Sequence, residues 1–211
     1  MCGRYSLQIN KEFSARFSVD NLPQTFKSQY NIAPSQILPV IISQSGKNQI
    51  KMMKWGLIPS WSKDGKGGII NARSESVAIK PVFSNLLRNN RCLVPATGFF
   101  EWKTINDGKQ PYYIHLKTND YFSMAGLFDE KTQSYTIITT QPNKLMATIH
   151  QRMPVIFLRD QERYWLGNNN IQVDKLSPFS EELMEAYSVS LRVNNPINND
   201  QLTINRYGTR D

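Results

Sequence analysis

Residues 112–140, YYIHLKTNDYFSMAGLFDEKTQSYTIITT, decide the fold class of this chain. Runs rich in β-branched and aromatic residues lie within this stretch at 112–116, 121–128 and 135–140. Shorter apolar runs lie outside it at 37–42 and 155–157. Short runs of this composition, separated by turn-forming residues such as Asn119-Asp120, predict β-strands. The sequence therefore predicts that the main structural element is a sheet.

Helix signals are fewer and shorter, and they lie at 11–17, 81–87, 159–166 and 180–187. Pro81 suits the first position of a helix, where its missing N–H would have no partner anyway. Ser180 can cap a helix whose first turn carries Glu181 and Glu182. Strands that do not alternate regularly with helices predict an α+β fold. We expect a single domain with a mainly antiparallel, barrel-like sheet and short flanking helices.

Length and composition restrict the class of protein. The chain has 211 residues, of which 40% are hydrophobic, enough to bury the core of one domain. We predict that this domain spans 2–193 and that 194–211 form a polar, loosely attached C-terminal tail, because 194–200 read NNPINND. A mean hydropathy of −0.46 and the lack of any apolar run near 18 residues argue against a membrane span.

Cysteine usage and the first residues bear on compartment and cofactors. The two cysteines, Cys2 and Cys92, are too few for a disulfide scaffold and too far apart in sequence for a CxxC metal site. Residues 1–5, MCGRY, lack the basic and apolar regions of a signal peptide. We therefore expect a cytoplasmic monomer that needs no metal or other cofactor.

The charge distribution favours a polyanionic partner. The net charge is +8, and the window 47–109 holds eleven basic and four acidic residues. From 160 to 211 the balance reverses, with eight acidic and five basic residues. A basic middle and an acidic end are typical of a chain whose one face meets nucleic acid, although an inert basic surface explains the numbers equally well.

Cys2 is the first candidate for chemistry. If Met1 is removed, as a small second residue favours, Cys2 becomes N-terminal and carries a thiol of pKa ~8.5 beside an α-amine of pKa ~8. The amine can form an imine with an aldehyde, and the thiol can then close a thiazolidine ring. Alternatively, the amine can serve as the base of the thiol, as in N-terminal-nucleophile hydrolases. A small residue that only permits removal of Met1 is the third interpretation.

Two further residues have the chemistry of an acid or a base. His150 lies where a short helix should give way to a strand, and such junctions often hold functional sites. The other histidine, His115, alternates with Ile114 and Leu116 and is predicted to be exposed or half-buried on the sheet. Glu101 is enclosed by apolar and aromatic residues, so burial would raise its pKa to a useful range. A structural histidine and a salt-bridged carboxylate are the alternatives.

Residues 65–76, GKGGIINARSES, combine a glycine-rich turn with Asn71, Arg73 and Ser74, a set that can hold an anion through backbone N–H groups and a guanidinium. The spacing is not that of a P-loop. Trp55 and Trp61 lie nearby in sequence, and indoles beside cations suit stacking on unpaired bases. Both tryptophans could equally belong to the core.

These segments together resemble one family. Six motifs occur in the order found in SOS response-associated peptidase (SRAP) proteins, and the similarity runs from residue 2 to about 193. They are MCGRY at 1–5, NIAP at 31–34, WGLIP at 55–59, NARSE at 71–75, PATGFFEW at 95–102 and HQRMP at 150–154. The family includes proteins that process abasic sites, so the resemblance implies a single domain that attaches covalently to abasic sites in single-stranded DNA.

The resemblance also implies a role for each matching residue. Cys2 matches the crosslinking residue, and Asn71 matches the residue that orients it. Glu101 matches the carboxylate beside the amine, and His150 matches the group that acts on the deoxyribose oxygen. Positions that match phosphate-binding or base-stacking residues are Arg4, Arg73, Arg152, Pro34 and the segment from Trp55 to Trp61. Two other functions stay open, a cysteine-type autopeptidase that uses Cys2 with His150 and a non-covalent single-stranded DNA-binding protein.

Overall fold

The computed structural model describes residues 2–20, 23, 25–59, 62, 68–167, 173 and 176–208. Its strands are β1 (Tyr5–Leu7), β2 (Gln29–Ile32), β3 (Ile37–Gln44), β4 (Lys47–Trp55), β5 (Asn71–Arg73), β6 (Arg91–Ala96), β7 (Gly98–Ile105), β8 (Gly108–Leu116), β9 (Phe122–Asp129), β10 (Ser134–Thr140), β11 (Met153–Pro154), β12 (Ile156–Phe157) and β13 (Met184–Ser188). Its helices are α1 (Phe13–Phe17), α2 (Ser74–Val77), α3 (Pro81–Asn89), α4 (Lys144–Ala147) and α5 (Arg159–Gly167). Within this described part, no helix is long and apolar enough to cross a membrane.

The strands form two sheets where the sequence predicted one barrel-like sheet. The first sheet has the order β13-β8-β7-β1-β2, and all of its neighbours are antiparallel. The second has the order β11-β10-β4-β3-β6-β9-β12, with β5 alongside β10. Because β10 also pairs with β9, this second sheet is ring-like, although it is not a barrel. The single-domain α+β class with few, short helices is confirmed.

Aromatic side chains join the two sheets across the core. Tyr5 of β1 packs edge-on against Trp55 of β4, with ring centroids 5.1 Å apart. The hydroxyl groups of Tyr5 and Tyr135 share a hydrogen bond of 2.8 Å. All three residues are 0% exposed. An edge-to-face pair of this kind adds about 0.5–1.5 kcal/mol to the stability gained from burial alone, so this contact helps to hold β1 of the first sheet against β4 of the second.

The predicted helix over 180–187 is wrong. Glu181–Leu183 form only one 3₁₀ turn, and Met184–Ser188 form β13. This strand pairs with β8 along its whole length, from Met184↔Leu116 to Ser188↔Tyr112. The acidic first turn favours a helix locally, but the edge of β8 offers hydrogen bonds that a helix would leave unused. The other three predicted helices are confirmed as α1, α3 and α5, and the five predicted strands as β3, β8, β9, β10 and β12.

The segment 193–208, which we call the C-terminal segment, forms hydrogen bonds with the rest of the chain. Asn199 Oδ1 accepts hydrogen bonds from the backbone N–H groups of Tyr30, at 2.6 Å, and Asn31, at 3.0 Å. The N–H of Tyr207 donates to the carbonyl of Ser188 at 2.8 Å. Thr203 is 0% exposed. The Asn199 side chain therefore attaches this segment to β2, and a backbone hydrogen bond attaches it to the end of β13.

Asn31 is central to this attachment, so its loss should destabilise the fold. Its side chain is buried, donates to the carbonyls of Val193, Asn195 and Asn198, and accepts a bond of 2.8 Å from Arg4. Asn31→Ala removes one hydrogen-bond partner from each of these groups, and only the Val193 carbonyl and Arg4 still contact each other. We expect a loss of about 2–4 kcal/mol in the free energy of unfolding, measured by urea denaturation.

Asn85→Ala is the matched control for this prediction. Asn85 is on α3, and its side-chain oxygen accepts only an exposed bond from Asn89 at 3.1 Å. Its replacement should change the free energy of unfolding by less than about 0.5 kcal/mol. Equal effects of the two alanine variants would contradict the central role of Asn31.

Candidate active site

The pairing of β1 with β7 brings Cys2 next to Glu101. Tyr5 lies opposite Phe99, and the N–H of Phe100 donates to the carbonyl of Arg4 at 2.9 Å. Following this antiparallel register one step further places the residues before Arg4 beside Glu101. Two residues that are distant in sequence thus become neighbours because their strands are adjacent in the first sheet.

Strands that pair with β10 position Asn71 and His150. Strand β5 runs parallel to β10, with Asn71 opposite Ile137, and the Asn71 amide donates to the carbonyl of Cys2 at 2.9 Å. After β10 the chain forms α4, capped by Asn143, and returns to β10 as β11. His150 lies on that return, where its Nε2 is 3.9 Å from Glu101 Oε2. The structure thereby brings together all four residues predicted for the reactive centre.

Burial sets the protonation states in this cluster. Cys2 is 0% exposed, and burial raises the pKa of its thiol well above the usual range, with a further contribution from the Glu101 carboxylate. Burial raises the pKa of Glu101 to about 7. Burial also lowers the pKa of His150. Near neutral pH the thiol and the imidazole are therefore uncharged, and Glu101 can either release or accept a proton.

The backbone of the same loop contacts one ring nitrogen of His150. The N–H of Arg152 lies 3.1 Å from His150 Nδ1, and the carbonyl oxygen of Arg152 lies 3.3 Å from the same atom. Nδ1 can therefore accept from the N–H or donate to the carbonyl, depending on the tautomer. The other ring nitrogen, Nε2, faces Glu101, where it can exchange a proton with a group bound in the cluster.

Two cavities flank the cluster. The first, of about 1010 Å³, is lined by His150 and carries the basic side chains Arg73, Arg152, Lys103 and Lys109. The second, of about 730 Å³, is lined by Asn71. Arg73, Gln141 and Arg152 line both cavities. The cluster therefore opens towards a positively charged surface, which favours an anionic ligand.

The three arginines predicted to bind phosphate differ in their surroundings. Arg73 is exposed at the end of β5. Arg152 forms a bidentate ion pair with Glu75, at 2.5 and 3.0 Å. Arg4 donates from Nη1 to Asn31 Oδ1 at 2.8 Å and lies over the ring of Trp102 at 5.9 Å. Arg73 is therefore the arginine that faces solvent most openly.

Several predicted contact residues are placed differently from expectation. Trp55 is 0% exposed, and its Nε1 donates to the carbonyl of Ile70 at 3.0 Å, so the prediction that it stacks on bases is wrong in this structure. Ser74 is also buried, and Pro34 is half-buried. Trp61 lies outside the described residues.

His115 is buried, against the prediction of an exposed or half-buried residue. Its ring stacks on Tyr113 at 5.4 Å and meets the edge of Tyr187 at 5.5 Å. Its Nε2 is 4.0 Å from Glu185 Oε2. The strand pattern gave the alternation along β8, but Tyr187 and Glu185 of the neighbouring strand β13 pack beside the ring, which local pattern could not show.

Sequence reasoning missed residues that only the assembled cavities reveal. Trp102, Lys103 and Lys109 line the larger cavity with His150, and Glu75 holds Arg152. Trp102 and Glu75 lie inside the motifs at 95–102 and 71–75, which was the available signal. Among the described residues, no group of three or more His, Cys, Asp and Glu side chains could hold a metal ion.

Comparison with known proteins supports the resemblance. A family model described as SOS response associated peptidase (SRAP) matches residues 1–196. The chain is 41% identical to the abasic site processing protein YoaM of Bacillus subtilis, over 94% of this chain and 95% of that protein. It is 27% identical to the abasic site processing protein YedK of Escherichia coli, over 79% of each.

The fold of the chain is similar to that of a solved relative. A crystal structure of a protein from Bacteroides thetaiotaomicron superposes with a TM-score of 0.82, at 28% sequence identity, and covers 97% of this chain and 99% of that one. The family match covers nearly the whole chain and includes all four residues of the cluster. The chain belongs to the SOS response-associated peptidase family.

Proposed function

We propose that this protein processes abasic sites in single-stranded DNA by forming a covalent thiazolidine through Cys2, once Met1 has been removed. The observation that carries the proposal is the meeting of Cys2 with Asn71, Glu101 and His150 beside a basic cavity. The curated relatives from Bacillus subtilis and Escherichia coli bear the name abasic site processing protein. Such an activity would shield DNA lesions in the cytoplasm during the SOS response.

Opening of the sugar is the first step. An abasic deoxyribose is mostly a closed hemiacetal, so its aldehyde is exposed only after proton transfer to the ring oxygen. His150 suits this task because its Nε2 faces Glu101 in the cluster and its side chain lines the larger cavity. The acid in this step would be the imidazolium form, which is the minor form near neutral pH because burial lowers the pKa of His150.

The amine of Cys2 then attacks the aldehyde. It must be neutral to do so, and Glu101, with its pKa near 7, can accept the proton of the ammonium form. The Asn71 amide binds the carbonyl of Cys2, which fixes the backbone of the nucleophile. Its Oδ1 is buried without a hydrogen-bond partner among the described residues, so it can accept from the amine.

The thiol completes the product. Attack of the amine forms a C–N bond, and loss of one water gives the imine. The thiol adds across the C=N bond: its sulfur bonds to carbon and its proton goes to nitrogen. The net reaction joins protein and DNA with release of one water. Closure of the ring removes the imine, whose persistence would allow elimination of the 3′ phosphate and a strand break.

The basic cavity supplies the binding energy for this condensation. Arg73, Lys103 and Lys109 can pair with phosphates on either side of the lesion. Holding the aldehyde next to Cys2 converts a slow bimolecular reaction into one that resembles an intramolecular reaction. The residues that bind DNA therefore contribute to the rate as well as to affinity.

A cysteine peptidase is the second candidate, because the family description contains that activity. A peptidase needs a thiolate, usually paired with a histidine. Here burial and the nearby Glu101 raise the pKa of the Cys2 thiol, and the carboxylate closest to His150 is that of Glu101. These features favour an amine nucleophile over a thiolate.

The decisive experiment incubates the purified protein with a single-stranded oligonucleotide that contains one abasic site. We expect an adduct that survives heat and high salt on a denaturing gel. Its intact mass should equal the sum of the two components, with Met1 absent, minus one water. Peptide cleavage without an adduct would favour the peptidase, and retention that salt reverses would favour a non-covalent binding protein.

A further inference from the structure

The carboxylate of Glu75 binds the guanidinium group of Arg152 in the way that a phosphate would. The carboxylate oxygens accept from Arg152 Nη1 at 2.5 Å and Nη2 at 3.0 Å. Gln141 supports the carboxylate by donating to Glu75 Oε1 at 3.0 Å. Arginine binds carboxylates and phosphates with the same two-pronged geometry, so either anion can fill this position.

The Arg152 side chain also forms a hydrogen bond inside the protein and is largely buried. Nη2 also donates to the carbonyl of Thr139 at 2.7 Å, and the side chain of Arg152 is only 11% exposed. The carboxylate side of the pair is the open one, because the side chain of Glu75 is 45% exposed. An anion from solvent can therefore take up the same two-pronged contact with Arg152 only by taking the place of Glu75.

The pair also stands between the two cavities. Arg152 and Gln141 line both of them, whereas Glu75 lines only the smaller one. A strand of DNA that extends from one cavity to the other would bring a phosphodiester to this position. The Arg152 pair holds the pKa of Glu75 at about 2, so its negative charge is present at every pH at which DNA would bind.

We propose that Glu75 is an intramolecular phosphate substitute that the DNA backbone displaces from Arg152 when DNA binds. This inference rests on the proposed function. Displacement releases Glu75 to solvent, where it is hydrated and gathers counterions, so part of the favourable Arg152–phosphate contact is cancelled. The carboxylate thereby weakens the non-covalent binding of undamaged strands, so that stable attachment depends on the covalent step at Cys2.

The test measures non-covalent binding of single-stranded DNA that contains one tetrahydrofuran residue, an abasic analogue without an aldehyde. We compare the wild-type protein with Glu75→Gln across a series of NaCl concentrations. The variant should bind about three- to fivefold tighter at low salt, the range of one exposed ion pair. Its plot of log K against log salt should be steeper by about 0.7, the contribution of one more phosphate contact on a single strand.

Two further variants make the result specific. Glu130→Gln removes a carboxylate that is 3.6 Å from Lys51, directly follows β9 and lines neither of the two cavities, so it should leave the salt dependence unchanged. In a background of Arg152→Gln, the gain from Glu75→Gln should disappear. Unchanged or weaker binding by Glu75→Gln, or failure of this variant to fold, would show that the pair is only a structural support and overturn the proposal.

The outcome for Glu75 is separable from the outcome for the proposed function. Wild-type protein that forms the Cys2 adduct while Glu75→Gln shows no change in salt dependence contradicts only the displacement. Wild-type protein that forms no adduct with an authentic abasic site contradicts the proposed function itself.

Discussion

Cys2→Ser should abolish the heat-stable adduct with abasic DNA while leaving non-covalent binding intact. Serine is also small, so removal of Met1 should still expose an α-amine at residue 2. That amine can form an imine, but a hydroxyl is a much weaker nucleophile than a thiol and does not close a stable ring. The adduct of this variant should therefore survive denaturation only after borohydride reduction, as seen on a denaturing gel.

Cys92→Ala is the matched control. Cys92 is also 0% exposed, and burial raises the pKa of its thiol, but it lies in β6 among core residues and outside the reactive cluster. The variant should form the adduct at the wild-type rate, although it loses some packing. A heat-stable adduct of Cys2→Ser without reduction would contradict the thiazolidine. Loss of the adduct in Cys92→Ala would contradict the assignment of the reacting thiol to Cys2.

Glu101→Gln should slow adduct formation by about 10²-fold, the usual contribution of a general base. Glutamine keeps the size of the side chain but cannot accept the proton of the Cys2 ammonium group. Because the pKa of Glu101 is raised to about 7, the wild-type rate should increase as pH rises through that value and the carboxylate ionises. The rate of the variant should lack this increase. It should show only the increase with pH that comes from deprotonation of the amine, whose pKa is ~8.

Glu185→Gln is the matched control, because it makes the same change in a second glutamate–histidine pair outside the reactive cluster. Glu185 Oε2 is 4.0 Å from His115 Nε2, a separation close to the 3.9 Å between Glu101 and His150. This second pair lies on β13 and β8 and lines neither cavity. Its replacement should leave the rate and its pH dependence unchanged. Equal pH profiles for Glu101→Gln and wild type would refute the role of Glu101 as base.

The local sequence pattern predicted most strands and helices, because the residues that favour each of them lie within a few positions of one another in the sequence. It failed at 180–187, where the edge of β8 recruits a strand from a sequence with a helix-like first turn. It also failed for Trp55, whose position beside basic residues in sequence suggested a surface. Burial depends on what the other sheet places over a side chain, and that information is not local.

The sequence by itself determined which side chains the protein carries: a cysteine at residue 2, a carboxylate among aromatics, a histidine at a helix–strand junction, and a window rich in basic residues. Only the tertiary structure decided that these groups meet, because the pairings of β1 with β7 and of β5 with β10 join distant parts of the chain. It also decided their protonation, since the pKa shifts of Cys2 and Glu101 come from burial. The pairing of Arg152 with Glu75 belongs to the same level, because two exposed-looking charges become partners only when α2 packs beside β10.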